Sequence, residues 1–312
     1  MGSTVHTNLS ALARDGVRPS RVATPPGPWS TVLEFLQARF ARVAPAVWEQ
    51  RMHAGLVCDA DGTSLAIDAP YRAHTWLLYW RDPGLEADTL PSITVLLREP
   101  CLVALDKPHG LPSVPSGGYL QQTALVQLQR LLGEDDWSPV HRLDQDTAGV
   151  LLLARGRMLA ALNALFRQHA VDKRYEAIAP WRADLPWPLT RSTRLGPGEH
   201  FLLRREVAGN VNATTTITPL EVRDSIARYA LQPRTGQRHQ LRVHMAALGL
   251  PIVGDRCYPR LHPPSPPDLH NPLRLLARSL HWCDPDSGAP REVHSRLTLA
   301  WPDQQESQLH AR

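Results

Sequence analysis

Residues 141–155 read HRLDQDTAGVLLLAR. Asp144 sits two residues from Arg142, just ahead of a turn of small residues and an apolar run that reads as a buried strand. That layout suits a single nucleophilic carboxylate kept charged by a neighbouring cation where water is partly excluded. An aspartate that merely caps a turn before a core strand has the same local spacing, so the choice between the two rests on the rest of the chain.

The chain has 312 residues, enough for one catalytic domain of about 200 residues and a smaller appendage. Its 34 basic against 30 acidic side chains give a net charge of +4, and the pI near 9.1 leans toward an anionic partner. The four cysteines, Cys58, Cys101, Cys257 and Cys283, form neither a CxxC knuckle nor a dense disulfide framework, which points to a reduced, cytoplasmic protein. No apolar run approaches the roughly 20 residues of a membrane span, and the N-terminus has no signal-peptide core.

Residues 1–28 are polar and end in Pro25, Pro26, Gly27 and Pro28, a composition expected of a flexible leader. Residues 29–92 are expected to form a small N-terminal domain: a helix capped by Ser30 and carrying Leu33, Leu36 and Phe40, a second with Val47, Trp48 and Met52, then strand segments around Leu65–Ile67. The main domain is expected over 93–303, with a flexible tail at 304–312. It contains a buried strand at 101–105, a helix with Leu125, Leu128 and Leu132, and another from Met158 to Phe166. Strands follow at Lys173–Trp181 and Ile226–Leu231, a helix begins after Gly236, and Leu297–Ala300 suggests a last strand. Prolines and glycines leave 182–212 as loop. Strands and helices without regular alternation favour an α+β fold, a mixed, largely antiparallel sheet with flanking helices, and neither GxGxxG nor a Walker sequence occurs.

Three further segments join the opening motif. Strand alternation puts Lys173, Tyr175 and Ala177 on one face, where the phenol could stack on a flat ligand or simply fill a half-buried sheet. In TGQRHQLRVHM, residues 235–245, Arg238 and Arg242 are spaced i, i+4, and residues 231–260 hold five arginines against Asp255 alone, a charge excess that suits phosphates or a solvated helix face. DKPHGLPSVP, residues 106–115, is a stiff loop expected to bring Lys107 to a surface cleft. His239 and His244 are five apart and share no helix face, no HExxH occurs, and no metal is expected; a serine hydrolase is poorly supported, since no GxSxG elbow occurs.

In this order, DKPHGLP, HRLDQDTAGVLLLA and RTGQRHQLRVHMAALGLPIVGDRCY (234–258) resemble the RluA-type pseudouridine synthases over about residues 93–303. The resemblance implies the pseudouridine synthase-like catalytic fold and no cofactor. It implies Asp144 as nucleophile, Tyr175 facing the uracil and Arg242 as the partner of the aspartate. His141, Arg142, Lys107, Gln237, Arg238 and His239 are then expected at a ribosomal or transfer RNA. Ala148, Gln237, Asn210, Leu276 and Asp284 depart from the family pattern, so a catalytically silent RNA-binding or ribosome-assembly factor is the alternative. The N-terminal unit resembles, without its basic run, the small RNA-binding module that often precedes this domain. No heptad repeat indicates a coiled-coil dimer, and oligomeric state is not read.

Overall fold

A computed structural model describes residues 12, 14, 17–41, 43–81, 90–116, 118–263 and 265–302. The chain divides into two compact units, Met1–Asp88 with Pro115–Asp136, and Thr89–Val114 with Trp137–Arg312.

The first unit contains β1 (Ser20–Ala23), α1 (Val32–Arg39), α2 (Pro45–His53), β2 (Val57–Cys58) and β3 (Trp76–Tyr79), with the strands ordered β1-β3-β2. β1 corrects the expected leader: its residues Ser20–Ala23 pair antiparallel with Trp76–Tyr79, so the flexible stretch cannot run to residue 28. Residues 1–11 of that leader, and the tail at 304–312, lie outside the described residues. The cap of α1 is Thr31 rather than Ser30. Its side chain accepts from the Glu34 N–H, and the Glu34 carboxylate accepts from the N–H groups of Ser30 and Thr31, a reciprocal capping box. Phe35, Leu36, Trp48, Met52, Val57 and Leu77 form the core. Leu65–Ile67 is not a strand, because that segment makes only an isolated bridge at Ser64. A helix from the middle of the chain, α3 (Ala124–Leu132), belongs to this unit and is capped by Thr123.

The second unit is built on one sheet of eleven strands. In chain order its elements are β4 (Thr94–Arg98), β5 (Leu102–Lys107), β6 (Ser138–Pro139), β7 (Ala148–Ala154), α4 (Gly156–Arg167), β8 (Asp172–Pro180), β9 (Leu189–Pro197), β10 (Arg204–Val207), β11 (Ala213–Arg223), β12 (Ile226–Pro233), α5 (Gln240–Ala247), β13 (Leu275–Cys283) and β14 (Pro290–His294). The main path runs β10-β9-β11-β12-β8-β13-β7-β5-β4. All its pairings are antiparallel except β13 with β7, so the α+β, largely antiparallel reading holds. β5 and β7 are buried along their whole length, which is why Leu102–Leu105 and Val150–Ala154 read as unbroken apolar runs. One core, with Val150, Leu152 and Leu162, lies between β7 and α4; another gathers Ile217, Tyr229, Leu231, Leu241 and Met245 under α5.

Two expectations fail here. Residues 182–212 are not simply loop, since they hold β9 and β10, and Leu297–Ala300 forms no strand. β9 reads LTRSTRLGP, with polar side chains on both faces; Thr190 and Ser192 meet the hydroxyls of Thr216 and Thr214 on β11 at 3.0 and 3.1 Å. A strand held by hydroxyl pairs carries no apolar period-two signal.

The single parallel crossing depends on Gly149. Its φ is +109°, and a Cβ there would lie 2.2 Å from the carbonyl oxygen of Ala277, its partner in register. Gly149→Ala therefore combines an unfavourable φ with a backbone clash and is expected to lower stability by at least about 2 kcal/mol, seen as a lower urea midpoint at unchanged slope. A midpoint equal to that of the parent chain would show that the β7–β13 crossing tolerates a side chain.

Candidate active site

The site is assembled within the second unit by three loops and a helix. The first two loops, 108–114 after β5 and 141–147 before β7, are tied to each other. Ser113 Oγ donates to the Leu143 carbonyl (2.8 Å) and accepts from its N–H (3.1 Å). Gln145 Nε2 donates to Gly110 O at 3.1 Å, and His109 Nδ1 donates to Asp146 O at 2.7 Å. Beneath them Lys107 is fully buried, its Nζ donating to the carbonyls of Pro108, Leu111 and Gln145 at 3.1, 2.7 and 3.0 Å. Burial pulls its pKa down to about 7, against the charges of Asp146 and Asp144, while three carbonyls match the three N–H bonds of the ammonium form.

Asp144 emerges from this stitched pair of loops with its side chain 31% exposed. The guanidinium that meets it is Arg242, not Arg142: Arg242 Nη1 lies 3.8 Å from Asp144 Oδ2, and Arg142 is exposed. Arg242, on α5, has a side chain only 3% exposed and is gripped by Asp255 through two bonds, Nε to Oδ2 at 2.8 Å and Nη2 to Oδ1 at 2.6 Å. Asp255 Oδ1 also accepts from the N–H groups of Cys257 and Tyr258 at 2.8 and 3.1 Å. Burial works against the Arg242 charge, but Asp255 and then Asp144 outweigh it and hold its pKa above the ordinary value. The turn that presents Asp255 needs Gly254, at φ +77°, where a Cβ would lie 2.4 Å from Pro272 O.

His239 stands on the other side of Asp144, Nε2 3.9 Å from Oδ1. Its φ of +56° puts it at the turn before α5, so the helix starts at Gln240 and Arg238 lies outside it; the expected i, i+4 face of Arg238 and Arg242 does not form. Tyr258 Oη accepts from the Arg204 N–H at 2.8 Å and lies 2.9 Å from His239 Nδ1. With the Tyr258 proton donated to Nδ1, the imidazole proton sits on Nε2, facing Asp144. Burial, only partly offset by Asp144, lowers the His239 pKa to about 4, so the ring is neutral near pH 7. Tyr175, on β8 opposite Leu231 and Ala277, is half-buried. Burial and then the Asp144 charge raise its pKa, keeping the phenol neutral.

Two expected RNA contacts are corrected. Lys107 is enclosed and committed to carbonyls, so it organises the loops instead of reaching a surface cleft. His141 stacks on Phe166 at 4.9 Å and 13°, its Nε2 accepts the Leu152 N–H at 3.2 Å, and burial lowers its pKa to about 3, which makes it a neutral packing group. Arg238 is exposed, and Gln237 is half-buried with its N–H on Gln240 Oε1. Of the arginines between 231 and 260, Arg242 is buried and Arg256 is spent on the carbonyls of Pro263 and Pro266, leaving Arg234, Arg238 and Arg260 exposed. A groove of about 730 Å³, lined by Asp172, Thr214, Thr216, Gln232 and Arg234 among others, runs up to this segment. Sequence reasoning does not reach Asp255, Asp146 or Tyr258 as site residues; the signal for Asp255 is that it is the lone acid among five arginines. Among the described residues, the group whose metal-ligand atoms converge is elsewhere, at His281, Glu292 and His294.

A family model for RNA pseudouridylate synthase matches residues 101–247. An uncharacterised RNA pseudouridine synthase of Synechocystis is 32% identical over 235 residues, covering 73% of this chain and 79% of the relative. The chain belongs to the RluA-type RNA pseudouridine synthases. The tRNA pseudouridine synthase C of Haemophilus ducreyi is 30% identical over 67% of this chain and 93% of its own. The solved structure of human RNA pseudouridylate synthase domain containing 4 superposes with a TM-score of 0.52 at 26% identity, covering 69% of this chain and 92% of that one. The synthase is thus an isomerase acting on RNA, and the matched span contains Asp144, Tyr175 and Arg242.

The histidines of the synthase set its acid stability. Burial lowers His109, His239 and His244 to about 4 and His141 to about 3, from an ordinary 6.5. As pH falls below about 6.5 the unfolded chain takes up protons that the folded chain refuses until about pH 4. The unfolded state therefore binds more protons in that window, and stability is lost progressively across it. Urea midpoints are expected to fall between about pH 7.5 and 5, with net proton uptake on unfolding at about pH 5. A flat profile over that range would contradict the buried, neutral state of these rings.

Proposed function

We propose that the synthase isomerises uridine in transfer or ribosomal RNA in the cytoplasm, with Asp144 as nucleophile, Tyr175 against the uracil and Arg242 as the fixed counter-charge. The observation that carries this reading is the pairing of a partly open carboxylate with a buried guanidinium whose own position is set by Asp255. The choice of RNA is supported by what two relatives act on, a tRNA pseudouridine synthase and a dual-specificity RNA pseudouridine synthase of Escherichia coli that is 32% identical over 54% of this chain. No helix among the described residues is long and apolar enough to cross a membrane.

Moving the glycosidic bond from nitrogen to carbon requires the uracil to be detached, turned, reattached and deprotonated. A stacked base is out of reach of a half-buried carboxylate, so the target nucleotide must be extruded, at a cost of a few kcal/mol. Phosphates flanking it are suited to the exposed cations Arg142 and Arg238, while Tyr175 gives the uracil a flat, uncharged surface. Asp144 meets the sugar or the ring with Arg242 beside one of its carboxylate oxygens and His239 beside the other. Arg242 compensates its negative charge, and neutral His239 offers an N–H without adding a second cation.

Asp144→Asn is expected to lower pseudouridine formation by more than about a thousandfold while RNA binding survives, measured by pseudouridine mapping of transfer and ribosomal RNA with purified protein and in a deletion strain. If every pseudouridine persists in the deletion strain, and no candidate RNA is modified in vitro, the assignment fails. Unchanged activity in Asp144→Asn would remove the aspartate from the chemistry while leaving the RNA target standing.

Salt titration separates the exposed cations from the buried one. Arg142→Ala and Arg238→Ala are each expected to reduce the slope of log affinity against log salt by about one, the value for one lost phosphate contact, whereas Lys107→Met leaves the slope unchanged. A drop of about one for Lys107→Met would return that side chain to the RNA surface.

A further inference from the structure

The sheet carries a second cluster of chemically active side chains, away from those assigned to uridine isomerisation. β13 and β14 pair antiparallel with His281 directly opposite Glu292 and Ser279 opposite His294. Directly opposed residues share a face of a sheet, as do residues two apart along a strand, so His281, Glu292 and His294 project together. His281 Nε2 is 2.7 Å from Glu292 Oε1, and His294 Nε2 contacts the same oxygen. One ligand atom from each residue lies within 4.8 Å of the other two, and the imidazole rings stand at 84° with centroids 5.8 Å apart.

We propose that this hairpin binds a divalent transition-metal ion of the zinc type, held by His281, Glu292 and His294, with water completing the shell. Two imidazole nitrogens and one carboxylate oxygen form a donor set of intermediate softness, which suits zinc and its neighbours; calcium and magnesium require more oxygen ligands than the cluster supplies. Around a zinc ion with bonds of about 2.0–2.2 Å, tetrahedral donors lie about 3.3 Å apart, so the observed separations need only side-chain adjustment. The three side chains are 27, 42 and 58% exposed, which gives the ion a route from solvent and leaves room for water.

Ser279 Oγ lies 3.0 Å from His281 Nε2, a hydrogen bond that this nitrogen gives up when it takes the ion, and Asp172 of β8, paired with Arg174, is the register partner of His281 on its other side. Sequence spacing hides this site, because ten residues separate His281 from Glu292 and only the hairpin register brings them together. The expectation of a metal-free chain rests on the spacing of His239 and His244 and on the lack of HExxH and CxxC motifs, none of which bears on a pairing across a hairpin. An ion here would clamp β14 to β13. The same side chains can also form an ion-free cluster in which both imidazoles hydrogen-bond to Glu292.

The two states are separated by titrating zinc alone into chelator-stripped, tag-free, full-length protein. Calorimetry is expected to show one equivalent bound through this site, with a rise in Tm. His281→Ala/His294→Ala should weaken that binding at least tenfold, the minimum cost of disturbing even an outer-shell partner, and should abolish the zinc-dependent rise in Tm. Glu292→Gln keeps the shape and much of the hydrogen bonding and is also expected to weaken binding; it serves as the test if the double variant does not fold. No zinc binding by the parent chain overturns the proposal. So does binding that persists undiminished in the variants, since it would belong to other histidines or to the four free cysteines.

Discussion

The buried Arg242–Asp255 pair is the constraint on which the rest of the site depends. A guanidinium 3% exposed has lost most of its hydration and is tolerable only because Asp255 meets it with both oxygens while two backbone N–H groups hold Asp255. Such a pair contributes position more than net stability. Its consequence here is that Nη1 is left facing Asp144 at 3.8 Å without freedom to turn away. A cation fixed before substrate arrives needs no reorganisation when charge develops during a reaction. Neutral His239 keeps that field simple, because Asp144 then faces one full positive charge and one N–H.

A second buried cation plays the corresponding part for the backbone. Lys107 supplies three N–H bonds to carbonyls on both sides of the stitched loops, converting two turn-rich connections into one rigid support for Asp144. The same residue type on a surface would be a mobile phosphate contact. Burial changes its role, because an enclosed ammonium must satisfy every donor locally. The two cations are therefore complementary, since Lys107 places the loop that bears the carboxylate and Arg242 places the charge opposite it.

The legibility of these features in sequence follows from their physics. β5, β7 and α4 are readable because burial on both faces, or along one stripe, leaves an apolar run or a helical period. β9 is not, because its cross-strand contacts are hydroxyl pairs flanked by prolines and glycines. β1 is hidden in a polar, proline-rich stretch and forms through pairing with residues more than fifty positions away. In the site, the order of motifs points to Asp144, Tyr175 and Arg242, and the structure brings all three into one neighbourhood. Exposure is not legible: a lysine or histidine inside a motif carries no mark of whether it faces solvent, which is why His141 and Lys107 read as surface contacts. Arg142 reads as the neighbour of Asp144 because the two are close in sequence, and closeness in sequence is a poor guide to direction at a turn.

The departures from the family pattern lose much of their weight against catalysis once their surroundings are known. Ala148 and Leu276, two of these departures, are direct partners in the parallel β7–β13 pairing and lie in one apolar cluster with Ile178 and Val253. They form one packing unit, in which two buried polar groups would each have needed a partner. Asp284 caps the turn between β13 and β14 through the N–H groups of Asp286 and Ser287, a local role unrelated to Asp144. Asn210 is exposed in the turn before β11. Gln237 alone sits beside the segment that bears His239 and Arg242, and its backbone N–H, not its side chain, holds that turn through Gln240. Together, the packing pair, the distant turn, exposed Asn210 and half-buried Gln237 leave the carboxylate, its counter-charge and its neutral histidine in place. They fit a change in which RNA is bound better than the loss of what is done to it.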